Sequence, residues 1–201
     1  CTILGYGTVA FISYATSYWG APYGERVFEI SKSELGLLLG APAAVTGFLG
    51  VIAGGRMADW LFTKLPGGRL YVVLFGLLAP VPVVWVMFTT DSKALFLVLA
   101  AVAQLFASSA LGAAAATSQS LVLPRMRGVA TATFFLATTL VGLALGPYLA
   151  GLVSSKADGD LGLGMLSTLW VAPIGLVLLV AALKLVPAAQ ERVLAAGQSE
   201  A

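Results

Sequence analysis

Histidine does not occur in this chain, cysteine occurs once, and only 10% of the 201 residues are charged. Without histidine there is no Ser-His or Cys-His nucleophile pair, no histidine metal cluster and no histidine-ligated haem. A lone Cys1 cannot close an internal disulfide, so the redox compartment is not legible. A net charge of +2 gives no basic surface for a nucleic acid. No cluster of residues asks for a metal or an organic cofactor, and the inventory points away from an enzyme. The chain opens on Cys1, not methionine, and enters an apolar run with no charged leader. It reads as a fragment whose preceding residues are missing.

The shortage of charge has its counterpart in apolar content. Hydrophobic residues make up 59% of the chain, against about 45–50% in soluble domains, which also carry roughly 25% charged residues. The apolar residues are gathered into uncharged stretches at 1–24, 35–55, 70–90, 94–124, 128–155 and 161–183. A helix needs about 20 residues to cross roughly 30 Å of hydrocarbon, and every stretch is long enough. In lipid the backbone must satisfy its own hydrogen bonds, so these runs are expected to be helical. The expected fold is an all-α polytopic membrane protein of six transmembrane helices over residues 1–186, followed by a cytoplasmic tail, 187–201.

Charge between the stretches alternates. Arg56, Lys64, Arg69, Arg125, Arg127, Lys184 and Arg192 fall on one side of a six-span chain. Arg26, Lys32, Lys93 and Lys156 fall on the other, beside six carboxylates. Seven basic residues against four place the first set, and with it both chain ends, in the cytoplasm. Polar content also repeats. The first and fourth spans are rich in Ser, Thr, Tyr and Gln, while the third and sixth are nearly free of hydrogen-bonding side chains. A three-plus-three inverted repeat, with the polar helices lining a cavity and the apolar ones facing lipid, produces this order.

On the fourth span, Gln104, Ser108, Gly112, Ala115 and Gln119 share one helical face at about 100° per residue. Gly7, Phe11, Tyr14, Tyr18, Ala21 and Glu25 form a similar stripe on the first. Tyr14, Tyr18, Gln104, Ser108 and Gln119 are therefore the candidates for a substrate pathway of aromatic walls and a few polar anchors. Trp19 and Tyr23 suit anchoring at the membrane interface. Gly36-x3-Gly40 and Gly50-x3-Gly54 on the second span offer close helix contacts. No charge lies in the middle of any span, so nothing here is an ion site.

Four segments carry a family likeness: ELGLLLG over Glu34–Gly40, GGRMAD over Gly54–Asp59, LPRMRGVATA over Leu123–Ala132, and GLALGPYLAG over Gly142–Gly151. In this order on six spans, the chain resembles the C-terminal half of a major facilitator superfamily transporter, within it the bacterial Spinster-like members. The resemblance implies a twelve-helix secondary transporter working by alternating access, completed by an N-terminal six-helix half, in a bacterial inner membrane. It also implies an amphiphilic or lipid-like substrate. A small-metabolite or drug exporter of the same superfamily, and a non-transporting six-helix scaffold or sensor, are the alternatives. Gly55 and Asp59 match the superfamily's cytoplasmic loop motif, in which the carboxylate caps a helix of the other half. Trp60 and Phe62 depart from that motif's basic residue and glycine. Arg125 and Arg127 match a basic pair on the same face. Gly142, Gly146, Pro147 and Gly151 resemble a Gly-Pro motif of gating helices, where proline bends the helix and glycines admit a neighbour.

The charge alternation is open to direct test. Single cysteines at positions 64 and 158, in a Cys1→Ser background, are expected to react with impermeant reagent from opposite sides of the membrane. Reaction of both from one side overturns the six-span topology.

Overall fold

The computed structural model describes the backbone of residues 1–199 and the side chains of residues 1–193; the last two residues of the expected tail lie outside the described residues. Helices α1 (Thr2–Phe28), α2 (Lys32–Lys64), α3 (Gly68–Leu78), α4 (Pro80–Met87) and α5 (Lys93–Ser120) come first. They are followed by α6 (Arg127–Thr138), α7 (Leu145–Lys156), α8 (Leu161–Ser167) and α9 (Ala172–Ser199). A π turn, Thr139–Ala144, joins α6 to α7, and a 3-10 turn, Thr168–Val171, joins α8 to α9. Helix is thus the only regular structure among the described residues.

Local chemistry sets the boundaries. Ser31 Oγ accepts from the Glu34 amide while the Glu34 carboxylate accepts from the Ser31 amide, a reciprocal cap that starts α2. The side chains of Ser92 and Asp160 accept from the amides of Leu95 and Leu163, starting α5 and α8 in the same way. Glu29 ends α1 in a left-handed conformation, φ 53°. Pro80 separates α3 from α4 because it has no N–H to continue the ladder. The π turn falls just ahead of Pro147, whose ring and missing donor disturb the turn before it. α9 continues through Pro187, so the residues expected as a tail begin as an extension of the last helix.

Among the described residues, five helical runs are long and apolar enough to cross a membrane: Lys32–Lys64, Gly68–Met87, Lys93–Ser120, Pro124–Lys156 and Leu161–Val193. α1 has the length, at 27 residues, but is not among the five. Its tyrosines, serines and threonines lower its apolarity. It sits inside the bundle, packed on α5, α9 and the π turn. Thr8 and Thr16 donate to the carbonyls of Gly5 and Ile12, so their O–H groups are satisfied within the helix and only their oxygen lone pairs stay open to a partner.

The apolar third and sixth spans, expected to face lipid, each present one exposed apolar face and one buried one. In Gly68–Met87, 44% of the apolar window is buried, against 11% in α2. Val73 and Leu77 lie wholly inside, among α5, α9 and α1. An aliphatic side chain is solvated about equally by lipid and by other side chains, so apolarity alone does not select the lipid face. The sixth run is split between faces too: Leu179 and Ala182 are buried, Ile174 and Val177 exposed.

Helix contacts are made where side chains are smallest. Gly50 lies against Ser108 and the Leu105 carbonyl, and Gly54 against the backbone of Ser109, which draws α2 onto α5. Gly142 and Gly146 lie against Ala10 and the Phe11 backbone, which draws the fifth run onto α1. Gly36 and Gly40, expected to make the same kind of contact, have open space where a Cβ would stand. Gly54→Val is therefore expected to destabilise the fold by at least roughly 1–3 kcal/mol through overpacking, with Gly36→Ala neutral. Thermal unfolding in detergent compares them; equal midpoints remove the distinction between the two glycine pairs.

Candidate functional site

Between α1, α2, α4 and α5 lies a cavity of about 330 Å³. It extends from the first turn of α2, at Lys32, past Met87 near the end of α4, to Ala107 in the middle of α5. Its walls are mostly aliphatic. Ser13, Thr16 and Ser17 bring hydroxyls from α1, Gln104 brings an amide from α5, and Lys32 brings the one charge in the lining. Apolar walls with a few convergent polar groups are the ordinary make-up of a small-molecule site. No group of three or more His, Cys, Asp or Glu is placed to hold a metal among the described residues.

Of the five expected pathway residues, Gln104 alone lines this cavity, its amide facing Gly47 of α2. Ser108 is turned into the α2 seam beside Gly50, and its hydroxyl donates to the Gln104 and Leu105 carbonyls. Gln119 is half-buried near the end of α5, away from the cavity. Tyr14, 41% exposed, stands beside Gly142, and Tyr18, 61% exposed, borders a shallow depression with Trp19, Pro147 and Tyr148. The cavity wall of α1 is the adjacent stripe, Ser13, Thr16, Ser17 and Gly20. That stripe has the spacing of one helical face and was legible in principle. The tyrosines, being larger, drew attention away from it.

Trp19 and Tyr23 correct the expectation of interfacial anchoring. The Trp19 indole N–H donates to the Pro147 carbonyl at 2.9 Å, and its ring rests on Gly151. α1 is thereby fastened to α7 just after the π turn. Tyr23 is buried, its hydroxyl donating to the Phe88 carbonyl, within an aromatic cluster that includes Phe28 and Phe96. A buried hydroxyl takes an internal partner because no water reaches it.

At the other end of the bundle, an Asp59 carboxylate oxygen lies 3.5 Å from Arg69 Nη2, with the Asp59 side chain 77% exposed. The Arg69 guanidinium lies 4.2 Å over the Phe62 ring, and Lys64 Nζ lies 4.2 Å over Trp60. The two aromatic departures in the loop motif thus each carry a cation. Gly55 faces open space, so the packed glycine of this segment is Gly54. Arg125 and Arg127 are exposed at the turn leading into α6.

Helices of this length and apolarity define an integral membrane protein. No protein-family model matches the chain. It is 31% identical over 182 residues to an MFS-type efflux pump of Mycolicibacterium smegmatis, an alignment covering 89% of this chain and 41% of that protein. It is 28% identical over 165 residues to protein spinster homolog 3 of Homo sapiens, covering 76% of this chain and 32% of that one. The crystal structure of a bacterial homolog of the human lysosomal transporter Spinster, inward-facing and unoccupied, superposes with a TM-score of 0.74. The match covers 96% of this chain and 48% of that chain, at 24% identity. The inward-facing, occupied form of a bacterial Spinster homolog superposes with a TM-score of 0.69 at 25% identity. The chain resembles half of a major facilitator superfamily transporter of the Spinster-like kind. It spans less than half the length of the relatives it matches.

The Trp19 bond generates a prediction. Trp19→Phe removes both the donor to the Pro147 carbonyl and the outer edge of the indole that rests on Gly151, a loss of at least about 1 kcal/mol. Thermal unfolding in detergent should register it as a lowered midpoint; an unchanged midpoint shows that the bond does not hold α1 to α7.

Proposed function

We propose that this chain is the C-terminal six-helix half of a secondary transporter that moves an amphiphilic or lipid-like small molecule by alternating access. The observation that carries the reading is the composition of the cavity: aliphatic walls for an apolar body, with Gln104, three hydroxyls and Lys32 for a polar one. An amphiphile needs both. Half-length coverage of full transporters supports a second six-helix half that completes the pathway. Tyr14 and Tyr18, exposed here, are then available to face that half.

The three-plus-three repeat is supported by how helices pair. The first run packs on the fifth as the fourth packs on the second. The first also packs on the sixth as the fourth packs on the third, and the third and sixth pack on each other. An exchange of the two triplets preserves these contacts, as an inverted repeat requires. The Lys/Arg bias supports cytoplasmic ends, and the bacterial likeness an inner membrane. On that orientation Asp59, Arg125 and Arg127 share the cytoplasmic face, where they would clasp the other half. Gly142, Gly146, Pro147 and Gly151 would let the bent fifth run flex against α1.

Export of a drug or small metabolite is the second reading, favoured by the name of the mycobacterial relative, an efflux pump. The tests use the complete protein reconstituted in liposomes. Gln104→Leu removes a hydrogen-bonding amide from the cavity. It should weaken substrate binding by roughly 0.5–1.5 kcal/mol, about twofold to tenfold, without lowering the thermal midpoint. Uptake of lysophospholipid against uptake of a compact hydrophilic metabolite separates the two readings. Normal affinity in a destabilised Gln104→Leu protein rejects the site.

A further inference from the structure

We propose that Gly20, Gly36 and Gly40 are specificity-determining residues: the side chains they lack keep open a slot for one unbranched alkyl chain, whose anionic head sits at Lys32. The proposal rests on the amphiphile reading above and says which residues gauge the amphiphile.

A glycine inside a helix is destabilising relative to alanine, and in a membrane the usual compensation is close approach of a neighbour. Gly50, Gly54 and Gly76 show that compensation, each lying against α5. Gly20, Gly36 and Gly40 do not: nothing stands within 4 Å of the place a Cβ would occupy. All three line the cavity. Gly55, Gly112, Gly128 and Gly159 also face open space but do not line it, so among the described residues openness and the wall of this cavity coincide only at the first three.

The shape of the space follows from helix geometry. Lys32, Gly36, Gly40 and Ala43 all line the cavity and fall on one face of α2, at successive spacings of four, four and three. They mark a furrow about 16 Å long at 1.5 Å per residue. Leu35 and Leu39 border it on α2, and Gly20 opens it on the α1 side. A space that runs this far along α2 between mostly aliphatic walls suits an extended chain. Lys32, at one end, is the cavity's only charged lining residue. Its ion pair with Glu25, at 3.5 Å, is between exposed side chains and readily exchanged for a bound anion.

Binding of octyl, dodecyl and hexadecyl phosphate to the complete protein in nanodiscs tests this, with dodecyl maltoside as the neutral-headed control. The wild type should prefer dodecyl to octyl phosphate. Gly40→Leu, which blocks the furrow away from Lys32, should lower dodecyl phosphate affinity by about tenfold or more and spare octyl phosphate. Gly36→Leu, one turn nearer Lys32, should weaken both. Gly40→Ala should give a smaller loss with the same length dependence, and neither leucine variant should lower the thermal midpoint. Lys32→Gln should erase the preference for phosphate over maltoside. Variants that bind every chain length as the wild type does overturn the proposal, as does loss of all binding together with a lowered midpoint, which marks packing glycines. A wild type that binds none of the alkyl phosphates overturns the amphiphile reading with it. Graded binding without transport of any alkyl phosphate keeps the slot and overturns the transport reading instead.

Discussion

Close approach of helix backbones at small residues is the contact on which the rest of this bundle depends. Lipid tails solvate Leu and Val as well as other side chains do, so apolar burial gives these helices little reason to associate. What remains is dispersion over well-fitted surfaces, and that requires backbones to come near. Gly50 and Gly54 do this for α2 and α5, and Gly142 and Gly146 for the fifth run and α1. Gly5 and Gly175 add seats between α9 and α1. Polar side chains at the seams do not oppose the contact, because Ser108, Ser109 and Thr8 return their hydroxyls to carbonyls of their own helices.

The cavity is where one of these seams comes apart. α2 is held to α5 along Gly50 and Gly54, but toward its N-terminus the glycines at 36 and 40 face empty space. The same residue type therefore closes the bundle at one end and opens it at the other. The difference lies in what stands opposite: Ser108 and Ser109 backbone in the first case, the space in front of Gln104, Ala100 and Ala103 in the second. The π turn ahead of Pro147, tied to α1 through Trp19, provides irregular backbone in the fifth run. Irregular turns of this kind recur at functional positions in helices.

The sequence made the class and the runs legible because hydrocarbon imposes length, apolarity and internal hydrogen bonding at once. The segments Glu34–Gly40, Gly54–Asp59, Leu123–Ala132 and Gly142–Gly151 made the family likeness legible before any geometry. Faces were harder. Periodicity names residues that share a side of a helix and does not say what that side meets, so Gly36-x3-Gly40 and Gly50-x3-Gly54 look alike in one dimension. Ser108 shares a face with Gln104 and still turns into a seam. Tyr23 and Trp19 have the composition of interfacial anchors, but their partners, the Phe88 and Pro147 carbonyls, are 65 and 128 residues away along the chain. The third run is apolar on its inward face as well as its outward one, and composition does not tell the two apart. α1 shows the converse: its tyrosines, serines and threonines, buried at Thr8 and Tyr23 but exposed at Tyr14 and Tyr18, lower the apolarity by which membrane helices are recognised.

The central claim is that the chain supplies half of a transport pathway and needs a second half to complete it. Reconstituted transport compares the 201-residue chain alone with the same chain co-expressed with the proposed N-terminal half, each in sealed liposomes. The account predicts membrane insertion of the chain alone with no uptake of lysophospholipid, and uptake when both halves are present. Uptake by the chain alone as a monomer would contradict it.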